Sequence, residues 1–157
     1  MKHFSTLLLL FALLACSSPQ TMGRQPVAML PDATFIIGYT GGWGGGAAYK
    51  LEDGKLYTSV EQRGLGDADD IVKAAFQPLD SPTGLAAMTD LAKRYSPKTF
   101  TRVAPKFDCQ EQAYDGVCPY IIVVKDDKSN AWTRSEVDKD QVFVAYMNDV
   151  QEALTKM

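Results

Sequence analysis

The sequence holds one histidine, His3, and that residue stands at the start of the chain. The rest of the chain therefore has no imidazole to activate a serine or cysteine nucleophile, and it lacks the commonest zinc ligand. Cysteine is also scarce, with only Cys16, Cys109 and Cys118. No basic run is present and the net charge is −3, which argues against nucleic acid and against electrostatic lipid binding. The uncharged stretch over residues 4–14 is about half the roughly 20 residues a membrane-spanning helix needs. The glycine-rich segment, residues 41–46, lacks the Gly-Lys-Ser/Thr of a phosphate-cradling loop and leads toward a strand instead of a helix. No cofactor motif and no metal-ligand spacing stands out.

What is there begins with an address. Lys2 and His3 give a positive start, a leucine-rich run follows, and Leu13-Leu14-Ala15-Cys16 closes it. An ordinary secretory signal wants a small residue three positions before the cut, where this chain has Leu13. The four residues resemble a bacterial lipobox. The resemblance implies that residues 1–15 are a lipoprotein signal peptide and that Cys16 becomes the mature N-terminus, carrying a diacylglyceryl thioether and an N-linked acyl chain such as palmitate. One acyl chain holds a protein only marginally, whereas two or three make attachment effectively permanent. Ser17, in place of the Asp associated with inner-membrane retention, favours the outer membrane. The expected location is thus the bacterial cell envelope, with the membrane reached through the N-terminal lipid.

Residues 16–31 are polar and irregular, with prolines at 19, 26 and 31, and read as a flexible tether. Residues 32–157 are enough for a single domain with a real core. Residues 33–39 are apolar and β-branched and predict a strand. A second strand is expected over 47–52, a type I′ turn at Asp53-Gly54, and a third strand over 55–61. Asp69 or Asp70 is expected to cap a short helix reaching Phe76, stopped by Pro78. Ser81-Pro82 opens a better helix, with Leu85, Met88 and Leu91 on one stripe and Ser96-Pro97 at its end. Residues 100–107 read as a strand or extended connection. A hairpin follows, with strands at 120–125 and 130–135 around Asp126-Asp127. A last helix capped by Asp140 carries Phe143, Tyr146, Met147, Val150 and Leu154 at helical spacing. The order βββ-α-ββ-α predicts an α+β fold, an antiparallel sheet with helices packed on one face.

Cys109 and Cys118, an even pair in an oxidising compartment, are expected to form a disulfide; eight intervening residues do not fit a redox C-x-x-C or a metal site. Asp67, Asp69, Asp70, Asp126 and Asp127 cluster in two loops. Such acids serve a glycosidase only if two of them face each other across a cleft. The Asp67–Asp70 run suggests calcium only faintly, since it lacks the twelve-residue loop with its glycine and closing glutamate. Five glycines surround Trp43. Either this is a wide bulge with the indole folded back on the sheet, or it is an exposed aromatic tip of the kind enriched in binding hot spots. On the second reading Trp43, with Tyr39 and Tyr49, forms the contact surface for a protein partner. Trp132, on a strand with Arg134, reads as packing.

The run Ile37-Gly38-Tyr39-Thr40-Gly41-Gly42-Trp43-Gly44-Gly45, followed by Leu51-Glu52-Asp53-Gly54, is similar to emfourin-type small proteins. These pair a Gly-Gly-aromatic-x-Gly hairpin with a leucine-rich helix, a second hairpin and a terminal helix, and include an inhibitor of thermolysin-like metalloproteases. The resemblance implies a non-enzymatic binding module with an envelope protein as partner. A structural envelope component without a discrete site, and a carboxylate-based hydrolase of envelope glycans, are the alternatives.

Overall fold

The computed structural model describes residues 32–41, 46–62, 65–109, 116–134 and 138–157. Among the described residues six strands form one antiparallel sheet, β1 (Thr34–Gly41), β2 (Tyr49–Glu52), β3 (Lys55–Ser59), β4 (Phe76–Pro78), β5 (Val117–Lys125) and β6 (Lys128–Thr133). Their order across the sheet is β4-β3-β2-β1-β5-β6. Among the same residues four helices accompany them, α1 (Ala68–Lys73), α2 (Pro82–Arg94), α3 (Pro97–Phe100) and α4 (Gln141–Leu154). The fold is α+β, with the helices packed on the sheet.

The centre of the sheet explains its stability. β1 and β5 pair over eight residues, from Thr34 opposite Val124 to Gly41 opposite Val117. Both strands are buried on their two faces, which is why β5 reads as an unbroken apolar run instead of an alternating one. Side chains alternate between faces. Phe35, Ile37, Leu51, Leu56, Ile121 and Val123 point to the side covered by α2, α3 and α4. Ile36, Ile122, Tyr120 and Ala131 point to the other side, where Ile71 of α1 joins them. The expected one-sided packing thus describes α2, α3 and α4, while the short α1 covers part of the opposite face.

Local chemistry sets the element ends. Both hairpin turns use left-handed backbone, Asp53 (φ 50°) with Gly54 (φ 71°), and Asp126 (φ 50°) with Asp127 (φ 59°). That is the type I′ pattern, whose twist matches the flanking strands. Ser81 caps α2 by accepting from the Gly84 amide, and Pro82 occupies the first helical position, as the sequence predicts. Asp140 caps α4, accepting from the amides of Val142 and Phe143. The cap of α1 is Asp67, not Asp69 or Asp70; its side chain accepts from the Asp70 amide in a capping box.

Two expectations are corrected. The helix expected to reach Phe76 stops at Lys73, and Phe76–Pro78 instead pairs with β3 as the edge strand β4. Pro78 is tolerated there because an edge strand has one side that need not donate to a ladder. The strand or extended connection expected over 100–107 is a connection, and it gives up Phe100 to the one-turn helix α3, since Pro97 starts a helix as readily as it stops one. Beyond α3 the chain wraps around the β6 edge. The Trp132 indole donates to the Val103 carbonyl at 2.9 Å, the Thr133 amide donates to the Lys106 carbonyl at 2.9 Å, and Phe107 lands on the far face against Tyr120, with ring centroids 5.3 Å apart. The Cys109–Cys118 disulfide fastens the end of this wrap to β5. Trp132 is core, 4% exposed, as expected.

Around Phe100 the helical layer is aromatic. Its ring centroid lies 4.7–5.7 Å from those of Trp132, Tyr95, Tyr146 and Phe143. The Tyr146 hydroxyl donates to the Leu91 carbonyl at 3.0 Å, tying α4 to α2, and burial raises its pKa above the ordinary tyrosine value. On the surface Arg94 pairs with Asp90 one turn back on α2 and reaches Asp149 on α4, so that only the second pair bridges the two helices.

Candidate functional site

The strand directions give the sheet two distinct ends. β1 begins at Thr34, just after Asp32, where the N-terminal segment joins; both type I′ turns lie at this end. At the far end stand Gly41, Val117, Ser59 and Thr133. The connection between β1 and β2 leaves from the far end, and the Gly46 amide donates to the Tyr39 carbonyl at 3.3 Å, closing its base.

Tyr39 lies in β1 opposite Pro119, and Tyr49 lies in β2 opposite Ile37. Directly paired residues share a face, and both tyrosines fall on the helix-covered side toward the far end. Both are half-buried; burial raises the Tyr39 hydroxyl above its ordinary pKa, and Tyr49 packs against the core. Trp43, the third member of the proposed contact surface, and Cys16, the proposed lipid site, lie outside the described residues. Cys109 and Cys118 are paired as expected.

Two residues that sequence reading did not single out join this end. Val60 is 52% exposed and Val117 55% exposed, which makes them two of the three exposed large hydrophobic residues among those described. Val60 follows the last residue of β3, and Val117 opposes Gly41 on the tyrosine face. The sequence places Val60 inside the third strand, expected over 55–61. Only the ladder shows that the strand ends one residue earlier, beyond cover.

The two acidic loops are not brought together. Asp126 and Asp127 line a recess of about 730 Å³ at the Asp32 end, together with Glu52 and Asp53. Asp67 and Asp70 are engaged in capping α1 elsewhere. Glu52 accepts from Lys50 Nζ at 2.8 Å and from the Thr34 hydroxyl at 3.1 Å, and the Lys50 bond is the main reason its carboxyl is held below the usual range. Lys50 itself lies between the rings of Tyr57 and Phe76, 5.1 and 4.9 Å from their centroids. Among the described residues no group of three or more His, Cys, Asp or Glu side chains is arranged to hold a metal ion. Among the same residues no helix is long and apolar enough to cross a membrane.

Comparison with family models, with curated proteins and with solved structures finds no match for this chain.

Proposed function

We propose that this chain is a lipid-anchored lipoprotein of the bacterial envelope whose domain is a non-enzymatic protein-binding module. Cys16 carries the lipid, and the outer membrane is the favoured location. The contact surface is the far end of the sheet, with Tyr39 and Tyr49, the exposed Val60 and Val117, and Trp43 on the connection that leaves from Gly41. The observation that carries this reading is the polarity of the fold. The chain enters at Asp32, and the tyrosines and exposed valines gather at the opposite end. A domain tethered through one end presents the other to its surroundings, and aromatic residues supply contact area at low cost in side-chain entropy. The similarity of residues 37–45 to emfourin-type proteins makes a thermolysin-like metalloprotease the first partner to test.

Two experiments check the two halves of the reading. Intact mass of the membrane-fraction protein should show lipid on a chain beginning at Cys16, and Cys16→Ala should abolish it. A chain beginning elsewhere without added mass removes the anchor. For the contact surface, Trp43→Ala should weaken inhibition or binding of a thermolysin-like protease about tenfold or more, the scale of an interface hot spot, with the melting temperature unchanged, and Tyr39→Phe should weaken it to a lesser degree. Equal affinity in the variants, or no interaction in the native protein, removes that assignment.

A further inference from the structure

Val142 is the third exposed large hydrophobic residue among those described, 57% exposed on the first turn of α4, and it takes no part in the contact surface above. Two open recesses share it as a wall. One, of about 200 Å³, has an apolar lining of Phe100, Tyr146 and Ala145, and its rim charges Arg94 and Asp149 are paired with each other. The other, of about 110 Å³, is lined by Lys98, Arg102 and Asp140.

The two recesses suit different groups. A cavity of roughly 150 Å³ holds a benzene ring, so the first has room for one large apolar side chain. A water takes up about 30 Å³ of liquid, so the second has the size of a few waters or of one carboxylate. Lys98 lies on α3 and Arg102 in the turn after it. In that turn the Thr101 and Val103 amides donate to the Pro97 and Phe100 carbonyls at 2.9 and 3.3 Å, which fixes the backbone under both cations. Both side chains are exposed, and among the described residues neither enters an ion pair. Asp140 shares their rim, but its Oδ1 already accepts from two amides of α4. Two cations against one engaged carboxylate favour an anion here, on a chain whose net charge is −3.

The count of cations narrows the class of partner. Anionic lipid is held by clusters of about four to eight basic residues at roughly 1 kcal/mol each, and two fall well short. Nucleic acid needs a longer basic track along its phosphates. One carboxylate next to one apolar side chain is peptide chemistry.

We propose that the α3–α4 face docks a segment of a partner protein in which an acidic residue stands beside a large apolar one. The carboxylate lies against Lys98 and Arg102, the apolar side chain fills the Phe100–Tyr146 recess, and Val142 packs between them. This second surface depends on neither the lipid nor the tyrosines of the first.

A random peptide library displayed on phage tests this when it is first depleted on a Lys98→Glu/Arg102→Glu variant and then selected on the native full chain at low salt. The peptides recovered should share Asp or Glu close to Leu, Ile, Phe or Trp. The best of them, made synthetically, should bind the charge-reversed variant about tenfold or more weakly, as like charges then face each other. Val142→Asp should weaken it to a similar degree with the melting temperature unchanged, because an acid is favoured in the first turn of a helix. Added salt should weaken binding to the native chain, since exposed charges are screened. Recovery of no acidic-apolar pattern overturns the proposal, and so does a peptide that binds the Val142→Asp chain as tightly as the native one. Retention of a Cys16→Ala chain on vesicles of equimolar phosphatidylserine and phosphatidylcholine, lost on charge reversal, assigns the face to lipid and overturns it too.

Discussion

Gly38 and Tyr120 face each other across the β1–β5 ladder, and the pair shows how closely one glycine is specified. A Cβ at position 38 would lie 2.4 Å from the Tyr120 hydroxyl oxygen and 2.7 Å from Cζ, well inside contact distance. Tyr120 is 1% exposed and held on its other side by Phe107, so it has little room to retreat. Gly38→Ala is therefore an overpacking change and should cost about 1–3 kcal/mol, read as a lower denaturation midpoint at unchanged slope. Gly38→Ala combined with Tyr120→Leu should recover part of that loss, since the ring atoms that clash are gone. A single variant as stable as the native protein would mean that the ring moves aside freely. The need for glycine here was not legible in the sequence, where Gly38 reads as one small residue in a strand. The demand comes from a side chain more than eighty residues away.

At the level of elements, the two hairpins solve one problem with different residues. Asp53-Gly54 gives the second turn position to glycine, whereas Asp126-Asp127 holds two aspartates in left-handed backbone. Aspartate tolerates that region better than most residues, but glycine tolerates it best. Asp127→Gly should therefore stabilise the protein slightly, by up to about 1 kcal/mol, because relief of strain outweighs the added freedom of the unfolded chain. Thermal unfolding checks this, and a lower melting temperature would show that the Asp127 side chain makes a contribution larger than the strain. The turns, the caps at Ser81 and Asp140 and the α4 stripe were all legible, because each depends on residues within one turn of chain. β4 was not. Three residues ending in proline carry no strand period, and Phe76–Pro78 becomes a strand only because the edge of β3 is there to receive it. The same holds for α1, whose cap was expected at Asp69 or Asp70 until the backbone placed Asp67 before it.

Over the whole molecule, the disulfide matters through what it fastens. The wrap from Val103 to Cys109 covers the upper part of the β6 edge and crosses from one face of the sheet to the other. Covering an edge strand removes a template for pairing with other chains. Replacing Cys109 and Cys118 together by serine should cost about 2–3 kcal/mol on the chain-entropy estimate for a short loop. It should also speed hydrogen exchange of the Thr133 amide, which donates to Lys106 in the wrap, well before that of Ile121 or Ile122. Equal acceleration at all three amides would mean that the bond stabilises the domain only globally. The pairing itself was legible from two cysteines nine positions apart; the edge it guards was not.

The sequence by itself determined what depends on near neighbours. It carried the α+β order, the hairpin turns, the long helices and the cysteine pair. It also carried the absence of histidine after His3, which narrows the chemistry before any coordinates are considered. Tertiary structure decided which end of the sheet the tyrosines share with Val60 and Val117, that the two aspartate clusters lie apart, and that a recess opens where the chain enters. The physical reason is range. Turns, caps and amphipathic stripes are fixed by forces acting within a few residues, whereas a binding end, a cleft or a guarded edge exists only after strands distant in sequence have paired and chosen their faces.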